Sequence, residues 1–110
     1  MKKYVPLMMI ICVAILIICA GCEKDANYYL NAGNAKYMAK QFEEALEDLD
    51  KAIEMDPNIA EAYMKRGRCY QHLKKYDQAL ADYRKVISME GDSEMSKRAQ
   101  QLIEEISTLK

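Results

Sequence analysis

Few residues in this chain are placed to do chemistry, and Cys22 is the foremost. It follows a short basic start, Lys2 and Lys3, and an apolar run from Val5 to Ala20 that closes on Ala20 and Gly21. That is the layout of a secretory signal ending in a small-residue cleavage site. A second group is suited to recognition. Asn31 and Asn34 carry amides that can bond a peptide backbone, and Lys65 and Arg68 carry cations that can hold a carboxylate. A third is Arg66, whose charge needs a partner if it is buried. No grouping points to catalysis. His72 is the single histidine, and no His, Cys and carboxylate cluster has metal-ligand spacing. Ser88, Ser93, Ser96 and Ser107 have no base placed beside them by any motif. No Gly-rich phosphate loop occurs. The chain is expected to be no enzyme and to carry no metal or cofactor.

The elements that position these residues come from a repeat. Shifting the chain by 34 positions lays residues 26–59 on residues 60–93. Tyr29 meets Tyr63, Gly33 meets Gly67, Phe42 meets Tyr76, Ala45 meets Ala79, and Asp48 meets Asp82. A fixed period of this length marks stacked repeats, whose surfaces usually bind other proteins. Within a unit, Tyr29, Ala32, Gly33 and Tyr37 make one helical stripe. Phe42, Ala45, Leu46, Leu49, Ala52 and Ile53 make a second. Asp56-Pro57 ends it, because the residue before proline is pushed out of the helical region. Each unit therefore reads as helix, turn, helix, with helices near residues 26–39, 42–55, 59–73 and 76–89. Gly33 and Ala45 let the two backbones approach closely.

The sequence Tyr29, Gly33, Phe42, Ala45, Ala52, Pro57, with Tyr63, Gly67, Tyr70, Tyr76, Ala79, Tyr83 and Val86 in the second copy, resembles the tetratricopeptide repeat. The resemblance covers residues 26–93. Two departures stand out: Lys36 replaces an aromatic residue, and Gly91 replaces the terminal proline. The resemblance implies an all-α fold, a short right-handed solenoid whose first helices line a concave surface. On that surface it would place Asn27, Leu30, Asn31, Asn34 and Met38, with Glu61, Met64, Lys65, Arg68 and His72. Asn31, Asn34, Lys65 and Arg68 then become a mildly basic groove for a protein or peptide segment. Some family members hold a peptide's terminal carboxylate with Lys and Asn, but Leu30 stands where the first such Lys would be. The resemblance also puts Arg66 in a slot between paired helices, coupled to an acid of the second helix. Asp48 and Asp82 are the candidates, and pairing with one or both would bridge the repeats.

Residues 94–110 carry a last apolar stripe through Met95, Ala99, Leu102, Ile103, Ile106 and Leu109. This predicts a capping helix near residues 93–108, started by Asp92 or Ser93. The chain thus divides into a signal segment (1–21), a short linker (22–25), two repeats (26–59 and 60–93) and a cap (94–110). Two repeats are fewer than the three or so that usually bury a continuous core, so self-association is a reasonable expectation.

The stretch Cys19-Ala20-Gly21-Cys22 resembles a bacterial lipobox, apart from Cys19, where an aliphatic residue is usual. The resemblance implies lipid attachment at Cys22 and anchoring to the cell membrane or outer membrane on the exported side. An uncleaved membrane helix is the alternative, although the apolar run would extend only about 24 Å against about 30 Å of hydrocarbon. Lys2 and Lys3 stay cytoplasmic in either case, so the repeats are exported. Loss of Lys2 and Lys3 leaves 14 basic and 17 acidic residues, a net charge of −3 that argues against nucleic acid. With Cys22 taken by lipid, Cys69 alone remains, a small buried residue with no disulfide partner. Two roles are open: a lipid-anchored adaptor binding an envelope protein through the groove, or a small structural subunit of an envelope, secretion or pilus assembly.

Overall fold

The computed structural model describes residues 24–109, so Cys22 and the apolar run of residues 5–20 lie outside the described residues. Five helices follow one another: α1 (Ala26–Met38), α2 (Phe42–Met55), α3 (Ala60–His72), α4 (Tyr76–Glu90) and α5 (Glu94–Leu109). The fold is all-α, two helical pairs and a capping helix, and it matches the expected helices to within a residue or two at each end. Among the described residues, no helix is long and apolar enough to cross a membrane.

Local chemistry sets the boundaries. Asp25 starts α1, its side chain accepting from the Tyr28 amide at 2.8 Å. The two intra-pair turns are copies of each other. Lys40 and Lys74 both sit in the left-handed region, at φ 62° and 60°. Around them the Gln41 amide reaches Lys36 O and the Lys75 amide reaches Tyr70 O, each at 2.8 Å, closing a helix-terminating loop. Between the pairs, Asp56 is extended, as its following proline requires. Its carboxylate accepts from the Asn58 amide at 3.0 Å, and the Tyr63 hydroxyl donates to Pro57 O at 3.0 Å. Gly91 ends α4 at φ 58°, and Ser93 rather than Asp92 caps α5.

Packing then stacks the pairs. Leu30, Ala45, Leu49 and Ala52 of the first pair enclose Ala62 and Cys69 of the second. Tyr63, Met64, Ala79, Tyr83 and Val86 close on Ala99, Leu102 and Ile106 of the cap. Ile53 packs against both clusters and joins them. Gly33 and Gly67 sit where their helices cross α2 and α4. A Cβ on Gly33 would lie 2.8 Å from Leu49 Cγ, and one on Gly67 2.7 Å from Tyr83 Cε1.

The stacking is asymmetric. Ala62 and Cys69 face α2 and are fully buried, whereas their equivalents in α1, Tyr28 and Ala35, are exposed. The chain supplies α1 with no described helix on that side. At the other end, α5 turns its apolar stripe inward and presents Gln100, Gln101, Glu104 and Thr108 to solvent.

Cys69 is thus a core residue. Burial pushes its thiol up from 9.0 to about 11, against the pull of Lys65 and Arg68. The folded state therefore favours the protonated thiol. That contribution is complete below pH 9 and is lost as the pH rises from 9 to 11. Wild-type stability should fall across that window, with a smaller slope for Cys69→Ala in denaturant titrations at pH 8 to 11. Cys69 should also resist thiol reagents until the chain unfolds. Rapid labelling of the native protein would show that the thiol is not enclosed.

Candidate functional site

Lys65, Arg68 and His72 converge on one end of the helices. α1 ends there at Tyr37 and Met38, α2 begins there at Phe42, and α3 ends there at His72. The Tyr37 hydroxyl accepts from Arg68 Nε at 3.0 Å and lies 3.3 Å from His72 Nε2. The His72 ring stacks on Phe42 with centroids 4.4 Å apart and planes within 5°. Lys65 Nζ and the Arg68 guanidinium lie 5.9 and 5.6 Å from the Tyr37 ring centre. Tyr37 therefore ties the first helical pair to the basic face of the second. The Tyr83 hydroxyl donates to Gln71 Oε1 at 2.6 Å and fixes the next side chain along.

Beside this cluster a groove of about 340 Å³ opens between α3, the start of α4 and α5. Arg68, Gln71, His72, Lys74, Tyr76, Leu102, Glu105 and Leu109 line it. Three of these carry or can carry positive charge and one is acidic. A smaller hollow of about 210 Å³ on the other side of His72 is lined by Tyr37, Met38, Lys40, Phe42 and His72. Met38 and Leu109, 73% and 64% exposed, flank the two hollows with apolar surface. The combination of cations, rings and exposed apolar side chains suits a polypeptide segment. Among the described residues no group of His, Cys, Asp and Glu could hold a metal ion.

Of the expected groove residues, Lys65 and Arg68 meet at the Tyr37 cluster. Asn31 is exposed on α1, and Asn34 is half-buried, its Oδ1 enclosed without a hydrogen bond. Leu30 and Met64 are corrections: both are buried in the cores, because their side chains turn under the neighbouring helix instead of into the groove. The sequence reading missed Tyr37, Phe42, Gln71, Tyr76 and the cap residues as parts of the site. A 34-residue alignment marks Tyr37 and Phe42 as packing positions and says nothing about the gap between α3 and α5.

The ion pair lies outside the groove. Arg66 binds Asp82 with two bonds, Nε to Oδ2 at 2.9 Å and Nη2 to Oδ1 at 2.7 Å. Its Nη1 reaches Asp50 Oδ1 of the first repeat at 3.0 Å. The Arg66 side chain is 22% exposed and that of Asp82 5%. The hydrogen bond to Asp82 raises Arg66 above its ordinary value, and burial pushes the Asp82 carboxyl up against the opposing pull of Arg66. The repeats are bridged, but Asp48 takes no part. Asp48 faces its own α1, where the position matching Arg66 is Ala32, and Lys36 one turn further on binds it at 2.7 Å. Asp50, two residues later in α2, points toward the next pair.

Known proteins carry the same architecture. The Arabidopsis OM64 TPR domain superposes with a TM-score of 0.68 at 30% identity, covering 74% of this chain and 67% of its own. The first TPR of Spaghetti (RPAP3), bound to the HSP90 peptide SRMEEVD, gives 0.71 at 25% identity, with coverages of 77% and 65%. The second TPR domain of human RPAP3, in complex with the HSP70 peptide SGPTIEEVD, gives 0.67 at 25%, with coverages of 73% and 67%. The chain thus spans about two thirds of the length of these structures. No curated protein matches it. The family profile described as "Tetratricopeptide repeat" matches residues 30–94. With its two 34-residue units, its glycine crossings and this match over more than half its length, the chain belongs to the tetratricopeptide repeat family.

Proposed function

We propose that this protein is a non-catalytic adaptor of the cell envelope. Its repeats bind a segment of another protein, and lipid on Cys22 holds it to the cell membrane or outer membrane on the exported side. The observation that carries the binding role is the groove between α3 and α5, with Arg68, His72 and Lys74 beside Tyr76, Leu102 and Leu109. Two structures of similar fold hold peptides that end in acidic residues, which supports a segment bearing carboxylates as the ligand class. The membrane role rests on the sequence around Cys22. An uncleaved helix over residues 5–20 would give the same orientation.

A permanent structural subunit of an envelope, secretion or pilus assembly is the second reading, and it would use apolar surface on the cap. The cap spends its stripe on α4: Ala99, Leu102 and Ile106 are buried, leaving Leu109 as its exposed large apolar side chain. That favours the groove. The deciding experiment is capture from detergent-solubilised membranes. Wild type is compared with Lys65→Glu/Lys74→Glu and, separately, Leu109→Glu. Loss of the partner with the lysine reversals is expected, with a partial loss for Leu109→Glu, which lines the same groove. Loss with Leu109→Glu alone would favour the cap reading. Equal capture by wild type and the lysine variant would remove the groove as the binding surface.

A further inference from the structure

Among the described residues, the four exposed large apolar side chains fall in two pairs at opposite ends of the helices. Met38 and Leu109 flank the groove. Tyr28 and Met55, 48% and 50% exposed, lie at the other end, where α1 begins and α2 finishes. Lysines accompany this second pair. Lys24 Nζ is 4.7 Å from the Tyr28 ring centre, and Lys51 Nζ is 5.3 Å from that of Tyr29. Lys51 and Met55 are one turn apart on α2 and share a face. Two of the nearby carboxylates are already engaged, Asp25 capping α1 and Asp56 closing its own turn. Glu54 offsets one lysine.

The position of Cys22 says what this edge meets. Two residues, Glu23 and Lys24, separate it from the Asp25 cap, three Cα steps that reach about 11 Å at most. Whichever device holds the chain, lipid at Cys22 or a helix over residues 5–20, the first turn of α1 is kept at the headgroup level. Tyrosine is suited to that level, with an apolar ring and a hydroxyl for water, and lysine stems extend from it toward phosphate.

We propose that the edge formed by Tyr28, Tyr29, Lys24, Lys51 and Met55 rests on the membrane surface and sets the orientation of the repeats. This rests on the membrane-anchoring reading above. α1, with 13 residues, is about 20 Å long, so the Tyr37 cluster and the groove stand about that far from the headgroups and face away from them. Because lysines and carboxylates nearly balance at this edge, the contact is apolar in origin and should survive high salt.

The test uses the full chain, reconstituted in vesicles of phosphatidylethanolamine and phosphatidylglycerol. A photo-crosslinking residue, p-benzoylphenylalanine, replaces Asn58 in the turn after α2 or Gln78 at the opposite end. Both positions are exposed, and both are far from Cys22 in sequence. Flotation with the vesicles reports anchoring, and mass spectrometry reports lipid adducts. The expected result is lipid adducts at position 58 and none at 78, unchanged by salt. Tyr28→Ser/Met55→Ser should lose the adduct at 58 while still floating with unchanged helical content. Floating protein with adducts at both positions or at neither would overturn the proposal. So would chain-to-chain adducts at 58, or a double-serine variant that crosslinks like wild type. Protein that does not float would remove the anchoring reading, and this proposal with it.

Discussion

Gly67→Ala should destabilise the domain by about 1–3 kcal/mol, the usual cost of adding atoms to a filled contact. The new Cβ would lie 2.7 Å from Tyr83 Cε1, 3.0 Å from Cδ1 and 3.2 Å from Asp82 Cβ. The Tyr83 ring is fully buried and its hydroxyl is bonded to Gln71, so it cannot swing aside. Alanine is better than glycine in a helix interior by about 1 kcal/mol, which offsets part of the cost without reversing it. Gly33→Ala meets Leu49 at 2.8 Å instead, a side chain with rotamers to choose from. It should therefore cost less. Urea unfolding of the two variants beside wild type measures the order. A higher midpoint for Gly67→Ala than for wild type would show that α3 and α4 are not in the contact described. Since a small domain has only about 5 kcal/mol to lose, the upper part of that range would leave a visible unfolded population.

The second large effect is expected at Arg66. Removing Asp82 leaves the guanidinium mostly enclosed with only Asp50 beside it. Breaking a buried pair from one side costs about 3–5 kcal/mol, and the partial exposure of Arg66 puts this case at or below the lower figure. A double-mutant cycle separates the pair from its surroundings. Coupling between Arg66 and Asp82 should exceed about 1 kcal/mol. Asp50 is 55% exposed and should couple by less than about 1 kcal/mol, as exposed pairs do. Asp48 should not couple to Arg66 at all, being held by Lys36. Equal coupling at Asp48 and Asp82 would mean that the helices are rotated from the positions found here.

These residues also show what a sequence of this kind reveals. The 34-residue register marked the four repeat helices and both packing glycines, because small residues at crossings and rings beside them recur with the period; the cap was legible from its own apolar stripe. The register left Asp48 and Asp82 open as partners of Arg66 for one reason, and the structure puts Asp82 there. Translation along the sequence makes the two equivalent, but Arg66 has no counterpart in the first unit, where Ala32 occupies its place. Asp50 could be found only from the angle between successive pairs, which no spacing encodes. The groove was half legible. Arg68 and His72 were marked by type and position, whereas Leu109 and Glu105 enter it through the placement of the cap on α4. Tyr37 looked like a core ring and turned out to hold the basic residues of the neighbouring unit.

The contrast between buried Ala62 and Cys69 and exposed Tyr28 and Ala35 gives the array a direction of growth. A further helical pair could be spliced ahead of α1 by duplication, since the receiving surface already carries small and aromatic residues. Splicing one after α5 would first demand that Gln100, Gln101 and Glu104 be rewritten as apolar. Among the described residues the stack is covered at α5 and open at α1, so designed extension should succeed from the front and fail from the back.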